Sequence, residues 1–218
     1  MTAPVIAIDG PSASGKGTVA ELVAKELGFH YLDSGSLYRL VALAAVHQGV
    51  PLDREATLAG VAEGLDVRFE AGEVRLGGER VTDAIRTEEC SRAASRVAAM
   101  PAVRRALLAR QRAFRKPPGL VAEGRDMGSI VFPDAALKVF LTASPESRAE
   151  RRYKQLKDKG IAATLAGLLQ DLRERDARDA SRSVAPLKQG PDARLLDTTG
   201  MSAARAAARI VGWYRGTA

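Results

Sequence analysis

Apolar and polar residues recur along the chain with two different periods, and the changes of period divide it into strands and helices. Val5-Ile6-Ala7-Ile8 is an unbroken apolar run, the pattern of a strand buried on both faces. Val19, Leu22, Val23 and Leu27 follow at helical spacing over 16–27, and Gly28 closes that stripe. Phe29 to Leu32 predicts a short strand, a second helix runs from about Ser36 to Gly49, and another is expected over 57–65. Residues 66–82 switch to period two. The stretches Asp66-Val67-Arg68-Phe69, Glu73-Val74-Arg75-Leu76 and Glu79-Arg80-Val81 are parted by Gly72 and by Gly77-Gly78, which predicts a small antiparallel sheet. Helices are expected at about 87–99 and 102–115, divided by Pro101. Leu120-Val121-Ala122 and Leu137-Lys138-Val139-Phe140-Leu141 predict two further core strands. Charged helical stretches at 145–159 and 164–180, a strand at Leu195-Leu196 and a closing helix over 202–215 complete the pattern. Strands alternating with helices imply an α/β fold: a mostly parallel sheet flanked by helices, with right-handed crossovers and one small antiparallel insert.

Composition narrows the class. A chain of 218 residues with 46% hydrophobic content can bury one sizeable core, so a single unit with insertions is expected. No apolar run approaches the ~20 residues that span a bilayer, and Asp9 interrupts any signal-peptide pattern in residues 1–10, so no membrane partner is expected. The single cysteine, Cys90, cannot form an internal disulfide, which agrees with a reducing cytoplasm; it is expected as a small core residue. The formal net charge of +7 fits either nucleic-acid binding or arginines gathered around small phosphorylated substrates. There is no basic tail, no zinc-ligand spacing and no run of aromatics for stacking bases. The arginines fall inside motifs at helical spacing, so small phosphates are favoured and no nucleic-acid partner is expected.

The chemistry concentrates first at residues 10–18, GPSASGKGT, immediately after the first strand. Strand, glycine-rich turn and helix, in that order, build a phosphate-binding loop. Gly10 and Gly15 free the backbone of Pro11, Ser12, Ala13 and Ser14 to turn its N–H groups toward a polyphosphate, and the following helix points its positive end at the same anion. Lys16 can reach the β- and γ-phosphates, and Thr18 offers a hydroxyl near a metal. Gly17 stands where Ser or Thr is usual, so direct Mg²⁺ ligation by the loop stays open. A glycine-rich helix entry with a chance lysine is the plainer alternative; the strand and helix context favours a nucleoside triphosphate.

Further segments point to a second substrate. In Asp33-Ser34-Gly35-Ser36-Leu37-Tyr38-Arg39, a turn opens a helix whose start can hold an anion, with Arg39 one turn inside. Ser34 or Ser36 can equally serve as a simple N-cap, and the two roles are compatible. Glu123-Gly124-Arg125-Asp126 lies just past a core strand, where open α/β sheets bind ligands. There Glu123 can orient metal-bound water, Arg125 can grip phosphate and Asp126 can accept from a base; a strand-to-loop salt bridge is the weaker alternative. Arg175, Asp179 and Arg182 share one helix face, which can also be no more than a solvated face of ion pairs. From 148 to 182 there are ten Lys/Arg against six Asp/Glu around Lys159-Gly160, a possible hinge, which fits a lid closing over phosphates. His30 and His47 need no catalytic role.

Taken together, the chain resembles the bacterial cytidylate kinase family over nearly its whole length. The resemblance rests on GPSASGKGT at 10–18, LDSGSLYR at 32–39, IRTEE at 85–89, Ser95, Pro101 to Arg104, EGRDMGSIVFPDA at 123–135 and RERDARDASR at 173–182. It implies a P-loop nucleoside monophosphate kinase fold: a core at 1–33, 116–145 and 190–218, a monophosphate-binding region at 34–115, and a lid with its adjoining helix at 146–182. It implies ATP as phosphoryl donor, Mg²⁺, and CMP or dCMP as acceptor, in a monomer. By position, Ser95, Arg104 and Asp126 would read cytosine; Tyr38, Arg175 and Asp179 would lie near the ribose. Ser34, Arg39, Arg125 and Arg182 would face the monophosphate, and Arg151 and Arg152 would reach the transferring phosphates. Thr18 and Glu123, directly or through water, would serve the metal; some relatives carry Asp at the Glu123 position. Adenylate- or uridylate-type kinases are the nearest alternative, and the Ser95, Arg104, Asp126 trio argues against them. A nucleotide switch or motor ATPase would normally carry Ser or Thr directly after Lys16.

Overall fold

The computed structural model describes residues 2–70, 72–158 and 160–216. The chain forms two compact units, Met1–Leu32 with Phe114–Ala218, and Asp33–Ala113.

The first unit is built on the apolar run at the start of the chain. Strand β1 (Val5–Asp9) is buried throughout and continues through the glycine-rich turn into helix α1 (Lys16–Leu27). Gly28 caps that helix in the left-handed conformation, as its place after the last apolar position requires. Strand β2 (His30–Asp33) follows. Later come β6 (Leu120–Gly124), β7 (Leu137–Thr142) and β8 (Arg194–Asp197). The strand order is β2-β6-β1-β7-β8. β1 lies in the middle and pairs parallel with β6 and β7, and β8 pairs parallel with β7. The register sets Asp9 beside Gly124 on one side and Phe140 on the other, so these strands end together. That carboxyl edge is where open parallel sheets bind ligands. One core joins Ile6, Ile8, Val121, Val139 and Leu141 to Val19 and Val23 of α1, and to Ile210 and Val211 of α8 (Ala203–Arg215). A smaller cluster of Ala149, Leu156, Leu168 and Leu172 joins α6 (Pro145–Asp158) to α7 (Leu165–Ala180).

The second unit contains α2 (Ser34–His47), α3 (Glu55–Glu63), an antiparallel sheet of β3 (Val67–Glu70), β4 (Glu73–Leu76) and β5 (Glu79–Arg80), then α4 (Glu88–Val97) and α5 (Pro101–Arg112). The insert forms where period two begins. Helix α2 packs against α4 and α3 against α5, burying Leu37, Leu40, Val41, Leu58, Val97, Val103 and Leu107.

Element bounds differ from the expected ones for local reasons. Helix α2 starts at Ser34 because Asp33 is its N-cap, accepting from the Ser36 N–H at 3.1 Å. Pro101 opens α5 at its first position, where its missing N–H costs nothing. A 3₁₀ turn at Ala84–Arg86 and a π-helical turn at Met127–Val131 were not expected. Of the anticipated Lys159-Gly160 hinge, Lys159 lies outside the described residues, and Gly160 is left-handed with φ 70°. No helix among the described residues is long and apolar enough to cross a membrane.

Candidate active site

The phosphate loop is held from behind. Gly10 leaves the sheet so closely that a Cβ there would sit 2.0 Å from the Leu141 carbonyl oxygen, so only glycine fits. Ala13 is left-handed with φ 56°, a conformation that side-chain-bearing residues adopt only where their surroundings enforce it. Cations hold loop carbonyls on either side of it. Lys16 Nζ donates to the Pro11 carbonyl at 3.1 Å, Arg148 Nη1 to Ser12 at 3.1 Å, and Arg151 Nη1 to Ser14 at 2.9 Å. Thr198 Oγ1 also donates to Ser14 O at 3.2 Å, and Arg125 Nη2 donates to Ser12 Oγ at 2.9 Å. With its carbonyl oxygens drawn to these partners, the loop has its backbone N–H groups for an anion. Ser14 Oγ is buried without a partner among the described residues, a polar atom left for a ligand oxygen.

Around the loop the unit gathers charge. Glu123 near the end of β6 is 7% exposed, and its Oε2 lies 3.7 Å from Lys16 Nζ. Arg125 Nε donates to Asp179 Oδ2 at 2.8 Å, and Arg182 donates to Asp179 Oδ1. Burial raises the Asp179 pKa, but Arg125 and Arg182 prevail and hold it below the usual value, with Arg175 adding to them. Burial likewise works against the Arg125 cation, and Asp179 more than offsets it. Of the three residues expected on one helix face, Arg175 and Asp179 lie on α7, whereas Arg182 lies past its end at Ala180; Asp179 joins Arg125 and Arg182 in a buried ionic cluster, not a solvated stripe. Arg151 also donates to Thr198 O, while Arg152 Nη1 donates to Gln155 Oε1 at 3.2 Å. Thr18 sits exposed in the first turn of α1.

Helices α2, α4 and α5 of the second unit carry the other expected residues. Arg39 Nη2 donates to Asp33 Oδ2 at 2.5 Å, and its Nε is buried with no partner among the described residues. The Arg104 guanidinium lies over the Tyr38 ring at 5.8 Å and donates from Nη1 to Ala98 O at 3.0 Å. Ser34 and Ser95 are 3% and 2% exposed. Cys90 packs in the same unit, its thiol donating to Arg39 O at 3.4 Å, and burial raises its pKa. The trio expected to read a base draws on both units, Ser95 and Arg104 from the second and Asp126 (3% exposed) from the first.

Several residues of this site were not anticipated. Arg148, 3% exposed, grips Ser12 O and forms a two-pronged pair with Asp176 at 3.1 and 2.6 Å. Its signal was its place three and four residues before Arg151 and Arg152 on one helix. Thr198 and Asp33 gave none beyond a turn pattern. Among the described residues no three His, Cys, Asp or Glu side chains cluster as a metal cage. Mg²⁺ needs no such cage, because it is commonly held by one or two carboxylates, water and substrate phosphates. Thr18 and Glu123 beside the loop suit that mode.

Among solved structures, a gluconokinase from Sinorhizobium meliloti aligns over 98% of this chain and 92% of its own, with a TM-score of 0.51 at 16% identity. The two share a fold. At the sequence level, cytidylate kinase of Bordetella bronchiseptica is 57% identical over 213 residues, covering 98% of this chain and 96% of the relative. Cytidylate kinase of Chromobacterium violaceum is 59% identical over 214 residues with the same coverage. The family model described as cytidylate kinase matches residues 6–215, the span from β1 to the end of α8, and the chain belongs to that family.

Proposed function

We propose that this chain is a kinase that transfers the γ-phosphoryl of ATP to CMP or dCMP, giving CDP or dCDP and ADP. The observation that carries this reading is the family match over residues 6–215. The built phosphate loop, with Ser14 Oγ left for a phosphate oxygen, supports the donor half, and the buried Nε of Arg39, unpartnered among the described residues, supports an anionic acceptor.

In this reading residues 34–115 bind the monophosphate, 146–182 form a lid with its adjoining helix, and 1–33, 116–145 and 190–218 are the core. Gly10, Pro11, Ser12, Ala13, Ser14, Gly15, Lys16, Gly17 and Thr18 cradle ATP. Ser34, Arg39, Arg125 and Arg182 hold the acceptor phosphate, and Tyr38, Arg175 and Asp179 lie by the ribose. The acceptor needs no general base, since its phosphate oxygen is already an anion. Catalysis is alignment of that oxygen with the γ-phosphorus and neutralisation of the charge that spreads over the transferring group. Lys16 and the arginines Arg125, Arg151, Arg152 and Arg182 supply the neutralisation. Thr18 and Glu123 would hold Mg²⁺, directly or through water, and the ion would supply further neutralisation of phosphate charge. The lid excludes water, which would otherwise take the phosphoryl group. The enzyme acts as a cytoplasmic monomer, with neither nucleic acid nor membrane as partner.

Cytosine presents an amine donor with N3 and O2 acceptors, which Asp126, Arg104 and Ser95 complement. Uracil places a carbonyl oxygen opposite Asp126, a mismatch of ~1–3 kcal/mol. The test is ADP formation from ATP and Mg²⁺ with each nucleoside monophosphate, for the wild type and Asp126→Asn. CMP and dCMP are expected to lead, and the variant to narrow their lead over UMP mainly by weakening CMP use. Equal use of UMP or AMP by the wild type overturns the cytidylate reading and leaves a nucleotide kinase.

A further inference from the structure

Asp9 ends β1, immediately before the phosphate loop. Its two carboxylate oxygens accept from two successive backbone N–H groups, Met127 at 2.8 Å and Gly128 at 2.9 Å. Those are the first N–H groups of the π-helical turn, the ones such a turn cannot satisfy itself. The turn is otherwise closed by Ile130 and Phe132, whose N–H groups donate to Asp126 O at 2.9 Å and Met127 O at 2.7 Å. On its other side Gly128 is pressed against β7, where an added Cβ would lie 3.1 Å from Lys138 Cγ. The backbone directly after Arg125 and Asp126 is thus clamped between a carboxylate and a lysine stem.

We propose that Asp9 is a positioning residue for acceptor selection: by clamping Met127 and Gly128 it aims Arg125 and Asp126, and so ties the setting of the acceptor groups to the strand that begins the donor loop. The inference rests on the acceptor roles given above to Arg125 and Asp126. Asp9 touches no substrate in this scheme. A two-pronged acceptor is needed because a single hydrogen bond leaves the turn free to pivot, and a displacement of about 1 Å at a reacting group can cost ~10²-fold in rate.

The test uses the full chain carrying Asp9→Asn, which keeps size and shape but sets an amide NH₂ against one of the two N–H groups. Asp9→Glu, which keeps both acceptors but displaces them by a methylene, is the second variant. Three quantities are read on folded protein: affinity for a non-hydrolysable ATP analogue, kcat/KM for CMP, and the ratio of CMP to UMP use. The expected result is a fall of about 10²-fold in kcat/KM for CMP with a narrowed CMP:UMP ratio, while analogue affinity stays within about twofold. A folded variant that loses analogue affinity and CMP use in parallel, with the ratio unchanged, overturns the proposal and makes Asp9 a general support of the loop. A wild type that does not prefer CMP over UMP fails at a different point: it removes the acceptor reading while analogue affinity still reports the loop.

Discussion

The Asp179 carboxylate is shared between two guanidiniums, receiving Arg125 Nε on Oδ2 at 2.8 Å and Arg182 on Oδ1, with its side chain only 1% exposed. Removing it strands two buried cations, and breaking a buried pair from one side costs about 3–5 kcal/mol. Asp179→Ala should therefore lower the urea-unfolding free energy by about that amount as well as impair activity. A loss under about 1 kcal/mol would show that water re-solvates the arginines.

Asp9 gives the protein an unusual pH term. Burial lifts its pKa from 3.8 to about 6, opposed by the Gly128 and Met127 N–H groups and by Arg125, and assisted by Asp126. It also lines a cavity with Lys138, Lys188 and Asp192. Because the folded pKa is raised, the native state holds a proton between these two values that the unfolded chain has released. This group's contribution to stability therefore falls as pH rises from about 4 to 6, by at most about 3 kcal/mol, and is level above that. Unfolding midpoints for the wild type and Asp9→Asn at several pH values test this. The difference between them should change across that window, and a flat difference removes the assignment.

Arg182→Lys should raise KM for CMP nearly as much as Arg182→Ala. One ammonium cannot reproduce the planar fork that holds Asp179 and is proposed to hold phosphate. A Lys variant with unchanged KM would reduce Arg182 to a support of the helix.

Lys16→Ala should fold normally and lose about 10²–10³-fold in kcat, the scale on which one aimed charge or donor acts on a developing anion. Steady-state kinetics with a matching circular-dichroism spectrum check it. Near-normal turnover in a folded variant would reassign the donor site.

The fold was legible because its cues are local. An apolar run, a glycine turn and a helical stripe are enough to write β1, the loop and α1, and period two alone reveals the insert. The phosphate loop was legible for the same reason. Arg148 and Asp176 were not, since their pairing joins two helices 28 positions apart and each looks on its own helix like surface charge. The π-helical turn was hidden too, because the carboxylate that caps it lies 118 residues earlier in the chain. Asp179 was noticed for its spacing, yet its burial came only from the packing of α7. Charged residues read alike in sequence whether solvated or enclosed; tertiary contacts decide.

Three carbonyls of the phosphate loop, those of Pro11, Ser12 and Ser14, are engaged by Lys16, Arg148 and Arg151. Ordering of the loop is thus charged to folding, and a nucleotide meeting it encounters a finished mould with little backbone entropy left to lose. Capture is then expected to resemble a rigid encounter limited by collision and orientation. One of the three tethers belongs to the loop itself; the other two reach in from α6.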